Sequence, residues 1–194
     1  YGFPLEMTQE LAEEKKINVD HNEFKRKLTQ HQELSRTASA GMFKGGLADH
    51  SDMVIKYHTT THLLHQALKD VLGLSASQKG SNITAERLRF DFTHPAKMTI
   101  EEIKKVEAIV NKKIQEDLPV HFEEMSVNEA RNIGAVGLFG EKYGAKVKVY
   151  FIGDYSKEIC GGPHVEQTGA IGSFKITKEE ACSAGVRRIK AILL

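Results

Sequence analysis

The chain is poor in cysteine, with two in 194 residues, and it has no long apolar run. Two cysteines cannot build the disulfide scaffold that staples small secreted domains, so the pattern points to a reducing, cytoplasmic setting. No stretch approaches the ~18–20 apolar residues of a membrane span, and no signal-peptide pattern opens the sequence. An excess of one charge is missing too: 27 Lys and Arg face 26 Asp and Glu, for a formal net charge of +1. This excludes a broadly basic nucleic-acid binder, so any RNA contact must use a local patch. The Gly45-Gly46 pair is not a phosphate loop, because no Gly-Lys-Ser/Thr follows. Internal repeats and low-complexity segments are also lacking. What these absences leave is a soluble globular chain, 40% hydrophobic, with room for one sizeable domain and an appendage. It starts at Tyr1, not methionine, and reads as a piece of something longer or a trimmed form.

Three regions are expected. Residues 1–36 hold two short helical stretches, the second opened by Asp20 with Glu23 at capping-box spacing. They are highly charged and too poor in apolar residues to form their own core. Residues 37–52 are broken by glycines and small residues and serve as a linker. Residues 53–194 carry mixed signals. Leu63, Leu64, Ala67, Leu68, Val71 and Leu72 recur at helical spacing until Gly73 ends the run. Leu88, Phe90 and Phe92 alternate with polar residues as in a half-buried strand. Thr99 with Glu102 caps a long helix through Ile114, and Ser126 with Glu129 a short one. "PVHFEEM", "KVKVYFIG", "GSFKIT" and "VRRIKAILL" read as further strands. The expected fold is α+β, a two-layer domain with a mainly antiparallel sheet and packed helices.

Chemistry concentrates in two places. "YHTTTHLLHQAL" puts His58, His62 and His65 on one side of the first long helix. Residues four apart sit about 5–6 Å apart at Cβ, which lets His58 and His62 close on one ion, or leaves them as wet side chains on a helix surface. About a hundred residues later, "CGGPH" places Cys160 and His164 on one tight turn. Alone, these are a small buried thiol and a loop histidine. Together the four make a borderline-soft N/S ligand set that favours zinc over magnesium or calcium. His65 is a spare, suited to supporting a ligand or facing nucleic acid, while Cys182 is a reduced packing residue.

"HTTTHLLHQAL", "SQKGS", "RLRFDF", "LFGEKYG", "CGGPHVEQTG" and "SAGVRRI" occur in the order found in the editing domain of alanyl-tRNA synthetases, which the chain resembles from about His58 onward. "YGFPLEMTQELAEE" is similar to the end of that family's tRNA-recognition region. Free-standing editing proteins and the threonyl-tRNA synthetase editing domain share the two-part metal motif, but "SQKGS" and "SAGVRRI" favour the alanyl family. Two departures stand out. Pro163 replaces the family's usual threonine, and a short linker stands where most members carry a small β-barrel.

The resemblance implies hydrolysis of serine or glycine esters of tRNA(Ala), with zinc held by His58, His62, Cys160 and His164. A pocket sized for alanine cannot exclude glycine, and rejects one extra hydroxyl only about a hundredfold, so a second, hydrolytic test is needed. By the same resemblance Gln78 and Thr61 line the amino-acid pocket; alone they are a loop polar residue and a helix-surface threonine. Lys79, Arg87, Arg89, Arg187 and Arg188 are candidate phosphate contacts for tRNA. Glu158 and Asp154 can orient a ligand or water. ATP-dependent charging would belong to upstream parts of a parent synthetase. The rival class is a zinc-stabilised tRNA-binding module without catalysis, in which the metal is structural.

Overall fold

The structure, a computed structural model, describes residues 5–17, 19–40, 47–137 and 146–194, without the side chains of 5–7 and 31–40. The "LFGEKYG" motif and residues 41–46 of the expected linker lie outside the described residues. The chain forms two compact units, Tyr1–Met42 and Phe43–Leu194. The first holds α1 (Leu5–Glu14) and α2 (His21–Ala40). Asp20 starts α2 as its sequence position suggests, its carboxylate accepting from the backbone N–H of Asn22 and Glu23 at 2.9 and 3.0 Å. Glu23 turns its own carboxylate to Arg26.

The second unit runs α3 (Asp52–Leu72), β1 (Gln78–Ile83), β2 (Leu88–Thr93), α4 (Ile100–Gln115), β3 (Val120–Ser126), α5 (Val127–Asn132), β4 (Lys146–Ile152), β5 (Ser156–Ile159), β6 (Phe174–Ser183) and β7 (Val186–Leu193). It is α+β with antiparallel pairing throughout the named strands. Two sheets form where the sequence suggests one: β1-β2-β7-β6, and β3-β4-β5. β2 takes β7 as its partner across nearly a hundred residues, and β3, beyond α4, pairs with β4.

Sequence chemistry explains each element that frames the site. On β2, Leu88, Phe90 and Phe92 are buried against the helices. Helix α4 buries Val106, Val110 and Ile114, and its capping box is complete, Thr99 and Glu102 each bonding the other's backbone N–H. The same reciprocal box, Ser126 with Glu129, opens α5.

Helix α3 departs from a simple amphipathic stripe. Every residue from Tyr57 to His65 is buried. One side packs on α4 and on β1 and β2, while the histidine side is covered by β5 and the turn after it. The image of wet histidines on a helix surface is therefore overturned. The polar face is roofed by a second sheet that the local sequence cannot reveal. Tyr57 pins the helix, its hydroxyl donating to the Glu86 carbonyl at 3.2 Å and accepting from the Leu193 N–H at 3.0 Å. Gly73, at φ +97°, ends the helix in a conformation that side-chain-bearing residues resist. No described helix is long and apolar enough to cross a membrane.

Candidate metal centre and adjoining cleft

His58 and His62 stand one turn apart on α3, and β5 delivers Cys160 and His164 onto them from the following turn. One ligand atom from each of the four lies within 4.8 Å of all the others. Cys160 Sγ is 3.3 Å from His58 Nε2 and 3.4 Å from His164 Nε2. With zinc–nitrogen bonds of about 2.0–2.1 Å and zinc–sulfur near 2.3 Å, a tetrahedron has edges of roughly 3.3–3.8 Å. The residues fit such an ion.

The surroundings fix how each ligand points. His58 Nδ1 donates to the Pro163 carbonyl at 2.9 Å, leaving the Nε2 lone pair toward the sulfur. The proline at this departure from the family pattern thus contributes through its backbone oxygen, which any residue supplies. His164 Nδ1 lies 3.2 Å from Thr59 Oγ1. That hydroxyl also donates to the Ile55 carbonyl and accepts from the Val165 N–H. With its one proton given to Ile55, it accepts from His164 and so directs that ring's Nε2 to the cluster. Burial pushes the His58 pKa down to about 3, with His62 adding to the effect. Burial likewise lowers His62, and holds His164 well below the ordinary imidazole value. All three are neutral at pH 7, the form a metal requires.

Gly162 makes the turn possible. It sits at φ +66°, and an added Cβ would collide with the Tyr150 hydroxyl and lie 2.8 Å from Tyr150 Cζ. Tyr150 in turn packs on His164, with ring centroids 4.3 Å apart.

Beside the cluster opens a cleft lined by His58, Thr61, His62 and Cys160 together with His65, Gln78, Ser81 and Glu158. The two expected pocket residues, Thr61 and Gln78, therefore share one cavity wall with three of the four ligands. Thr61 donates to the Tyr57 carbonyl at 2.9 Å, and Gln78 Nε2 donates to Ser81 Oγ at 3.3 Å. Gln78 is not in a loop, as its polar surroundings suggest, but opens β1 at a bulge before Gly80. His65 is buried and hydrogen-bonded to the half-buried Glu158 at 3.0 Å, so His65 does not face a nucleic-acid surface. Asp154 is exposed in the β4–β5 turn.

The five basic candidates do not converge. Arg188 grips the buried Asp91 with two hydrogen bonds of 2.7 and 2.9 Å, and Arg187 is clamped on Glu179. Arg89 Nε lies 3.7 Å from Asp91, and Arg87 donates to Asn82. Lys79 is exposed on β1. Sequence reasoning passed over Thr59 and Tyr150. The signal for Thr59 is its place next to a ligand on a helix buried on both sides, and that burial is visible only in three dimensions.

Comparison with known families follows the same two-part division. Residues 1–112, which carry His58 and His62, match the family described as tRNA synthetases class II (A). Residues 147–190, which carry Cys160 and His164, match the threonyl and alanyl tRNA synthetase second additional domain. The alanine–tRNA ligase of Treponema denticola is 60% identical over 193 residues, covering 100% of this chain and 32% of the relative. That of Treponema pallidum is 58% identical over 193 residues, with the same coverage. The Bacillus anthracis enzyme is 54% identical over 139 residues, 72% of this chain and 16% of the relative. The chain spans about a third of the length of these Treponema relatives. With more than half its residues matched to that family and alanine–tRNA ligases aligned along its whole length, the chain belongs to the class II (A) tRNA synthetases.

Proposed function

We propose that this chain is the editing part of an alanine–tRNA ligase and hydrolyses serine or glycine esters of tRNA(Ala), in the cytoplasm where charging takes place. The observation that carries the reading is the His₃Cys cluster opening onto a cleft that also holds Gln78 and Thr61. A structural metal site needs no such neighbour. His58, His62, Cys160 and His164 would hold zinc, which when bound supplies polarisation of the ester carbonyl or an anchor for the aminoacyl end. Gln78, Ser81 and Thr61 offer polar groups at the size of a small amino acid. They form the wall that tests the side chain a second time.

Partners follow from this chemistry. The substrate is tRNA(Ala) carrying the wrong residue, and the exposed Lys79 with Arg87 and Arg89 are the candidates to meet its phosphates. Arg187 and Arg188 already serve carboxylates of the sheet. Charging itself is assigned to the parts of the synthetase outside this chain.

The test offers Ser-, Gly- and Ala-tRNA(Ala) to the zinc-loaded chain without ATP. The expected result is release of serine and glycine with alanine spared. Deacylation of Ser-tRNA(Thr) in preference would favour a threonyl-type enzyme. Inertness toward all esters at low salt and high protein concentration, with intact tRNA binding, would favour the non-catalytic module.

A further inference from the structure

The cleft holds a further pair, His65 and Glu158, outside the four-residue cluster. His65 is 2% exposed, its ring packed on Phe90 with centroids 5.6 Å apart. Its Nδ1 lies 3.0 Å from Glu158 Oε1. Glu158 Oε2 also lies 3.5 Å from His62 Nδ1, so the carboxylate stands between the two rings. An ionised carboxylate only accepts, so Nδ1 carries the proton and Nε2 holds a lone pair. That Nε2 is buried and has no hydrogen-bond partner among the described residues. A buried polar atom without a partner is destabilising until something pairs with it. His65 also lines the same cleft as Gln78, Ser81 and Cys160, so a group entering the cleft is a candidate partner for it.

The other imidazoles are less suited to meet an incoming water. His58 and His164 each have Nδ1 committed, to the Pro163 carbonyl and to Thr59, and Nε2 turned to the Cys160 sulfur. His62 has its unpartnered Nδ1 turned to Glu158 at 3.5 Å, whereas His65 has Nδ1 anchored and Nε2 without a partner among the described residues. A carboxylate behind an imidazole fixes the tautomer and stabilises the imidazolium that forms when the far nitrogen takes a proton. His65 stands three residues along α3 from His62, and Glu158 on β5 two residues before Cys160, so the pair adjoins the metal cluster without belonging to the four.

We infer, resting on the hydrolytic reading above, that His65 is the general base of the site and that Glu158 is its positioning residue. The water oxygen bonds to the ester carbonyl carbon while one of its protons passes to His65 Nε2. The carbon–oxygen bond to the terminal ribose then breaks, and the proton moves from His65 to the departing ribose oxygen. One water is consumed, a free amino acid and an unacylated tRNA end are formed, and His65 returns to its starting tautomer.

The experiment compares the 194-residue chain with His65→Gln, His65→Ala and Glu158→Gln, each loaded with zinc. Glutamine keeps a polar atom near the place of Nε2 but cannot take the proton. For His65→Gln the expected kcat on Ser-tRNA(Ala) falls about 10²–10³-fold, with KM changed less than about threefold and zinc per chain unchanged. His65→Ala should regain activity with added imidazole, a rescue that a packing role would not give. Nitrogen-15 spectra should show His65 protonated at Nδ1 in the parent chain and a mixture of tautomers in Glu158→Gln. An active parent with full kcat in His65→Gln overturns the inference and leaves the hydrolytic reading standing. Loss of zinc in step with activity overturns it as well, by making His65 a support for the cluster. A parent chain that hydrolyses no ester overturns both.

Discussion

Thr59 Oγ1 lies 3.2 Å from Nδ1 of His164, a residue 105 positions away, and also accepts from the backbone N–H of Val165 at 3.1 Å. One hydroxyl thus joins helix α3 to the turn that brings the second half of the cluster. Thr59→Val keeps the shape and removes the acceptor. Metal affinity is expected to drop about 10–100-fold, the usual cost of losing a group that orients a metal-bound histidine. Thr59→Ser, which keeps the oxygen, should stay within a few-fold of the parent. Competition with a chromogenic zinc chelator measures both. Equal affinities for the valine and serine variants would show that the hydroxyl does not orient His164.

The two cysteines offer a clean contrast. Cys160 joins the histidine cluster, whereas Cys182 is exposed on β6 beside Arg188. The chain purified without chelators should carry about one zinc, Cys160→Ala much less, and Cys182→Ala as much as the parent. Elemental analysis reads this directly. Zinc retained in Cys160→Ala would remove the sulfur from the ligand set.

How much of this was open to sequence reading depends on how local each signal is. The capping boxes at Thr99 and Ser126 and the alternation on β2 use contacts within a few residues, and the structure matches them. Cys160 and His164 announced themselves by spacing on a glycine turn. β1 was invisible, because "QKGSNI" lacks apolar alternation and becomes a strand only by pairing along β2. The burial of His65 was equally hidden. It depends on Glu158, 93 residues on, closing over a face of α3 that looks solvent-exposed in isolation. The same holds for Arg187 and Arg188, whose carboxylate partners on β6 and β2 appear only once the sheet is assembled.

Gly162 tests the geometry of the turn. Any side chain there must adopt φ +66° and displace the Tyr150 ring, which is itself packed on His164. Gly162→Ala is expected to cost about 1–3 kcal/mol from the strained backbone alone and to weaken zinc binding. Gly161 has open space where a Cβ would stand. Gly161→Ala should therefore retain zinc and lose little stability. Denaturant titration of the two metal-free variants, followed by zinc uptake, separates them. Equal behaviour would mean that the turn rearranges freely.

Arg188 separates a sheet-stabilising role from a tRNA contact. Its guanidinium meets Asp91 through two hydrogen bonds, and Asp91 is buried. Arg188→Met leaves that carboxylate without its main partner. The pair is partly solvent-exposed, so the expected loss is below the 3–5 kcal/mol of a fully buried pair, at about 2 kcal/mol. At roughly 2–4 °C per kcal/mol for a chain of this size, the thermal midpoint should fall by about 4–8 °C. Adding Asp91→Asn should recover part of that loss. An unchanged midpoint with a shallower salt dependence of tRNA binding would instead place Arg188 on a phosphate.

Gln78 should decide which ester is hydrolysed while contributing little to folding. It begins β1, an edge strand of its sheet, at a bulge, and among the described residues its amide reaches Ser81, by a 3.3 Å hydrogen bond on the cleft wall. An edge position with one weak polar contact can accept a larger side chain without disturbing the core, so Gln78→His should leave the thermal midpoint within about 2 °C. Its effect should fall on the cleft, where the imidazole takes space next to Thr61 and changes the hydrogen-bonding groups a small amino acid meets. A pocket that holds a hydroxyl by a placed polar group loses far more discrimination when that group changes than one relying on size alone. The ratio of Ser-tRNA(Ala) to Ala-tRNA(Ala) deacylation should therefore shift by at least about tenfold, measured at equal zinc content. A large drop in the midpoint with the ratio intact would assign Gln78 to the β1–β2 pairing. An intact midpoint with an intact ratio would remove it from the discriminating wall and leave Thr61 and Ser81 as the side chains to test.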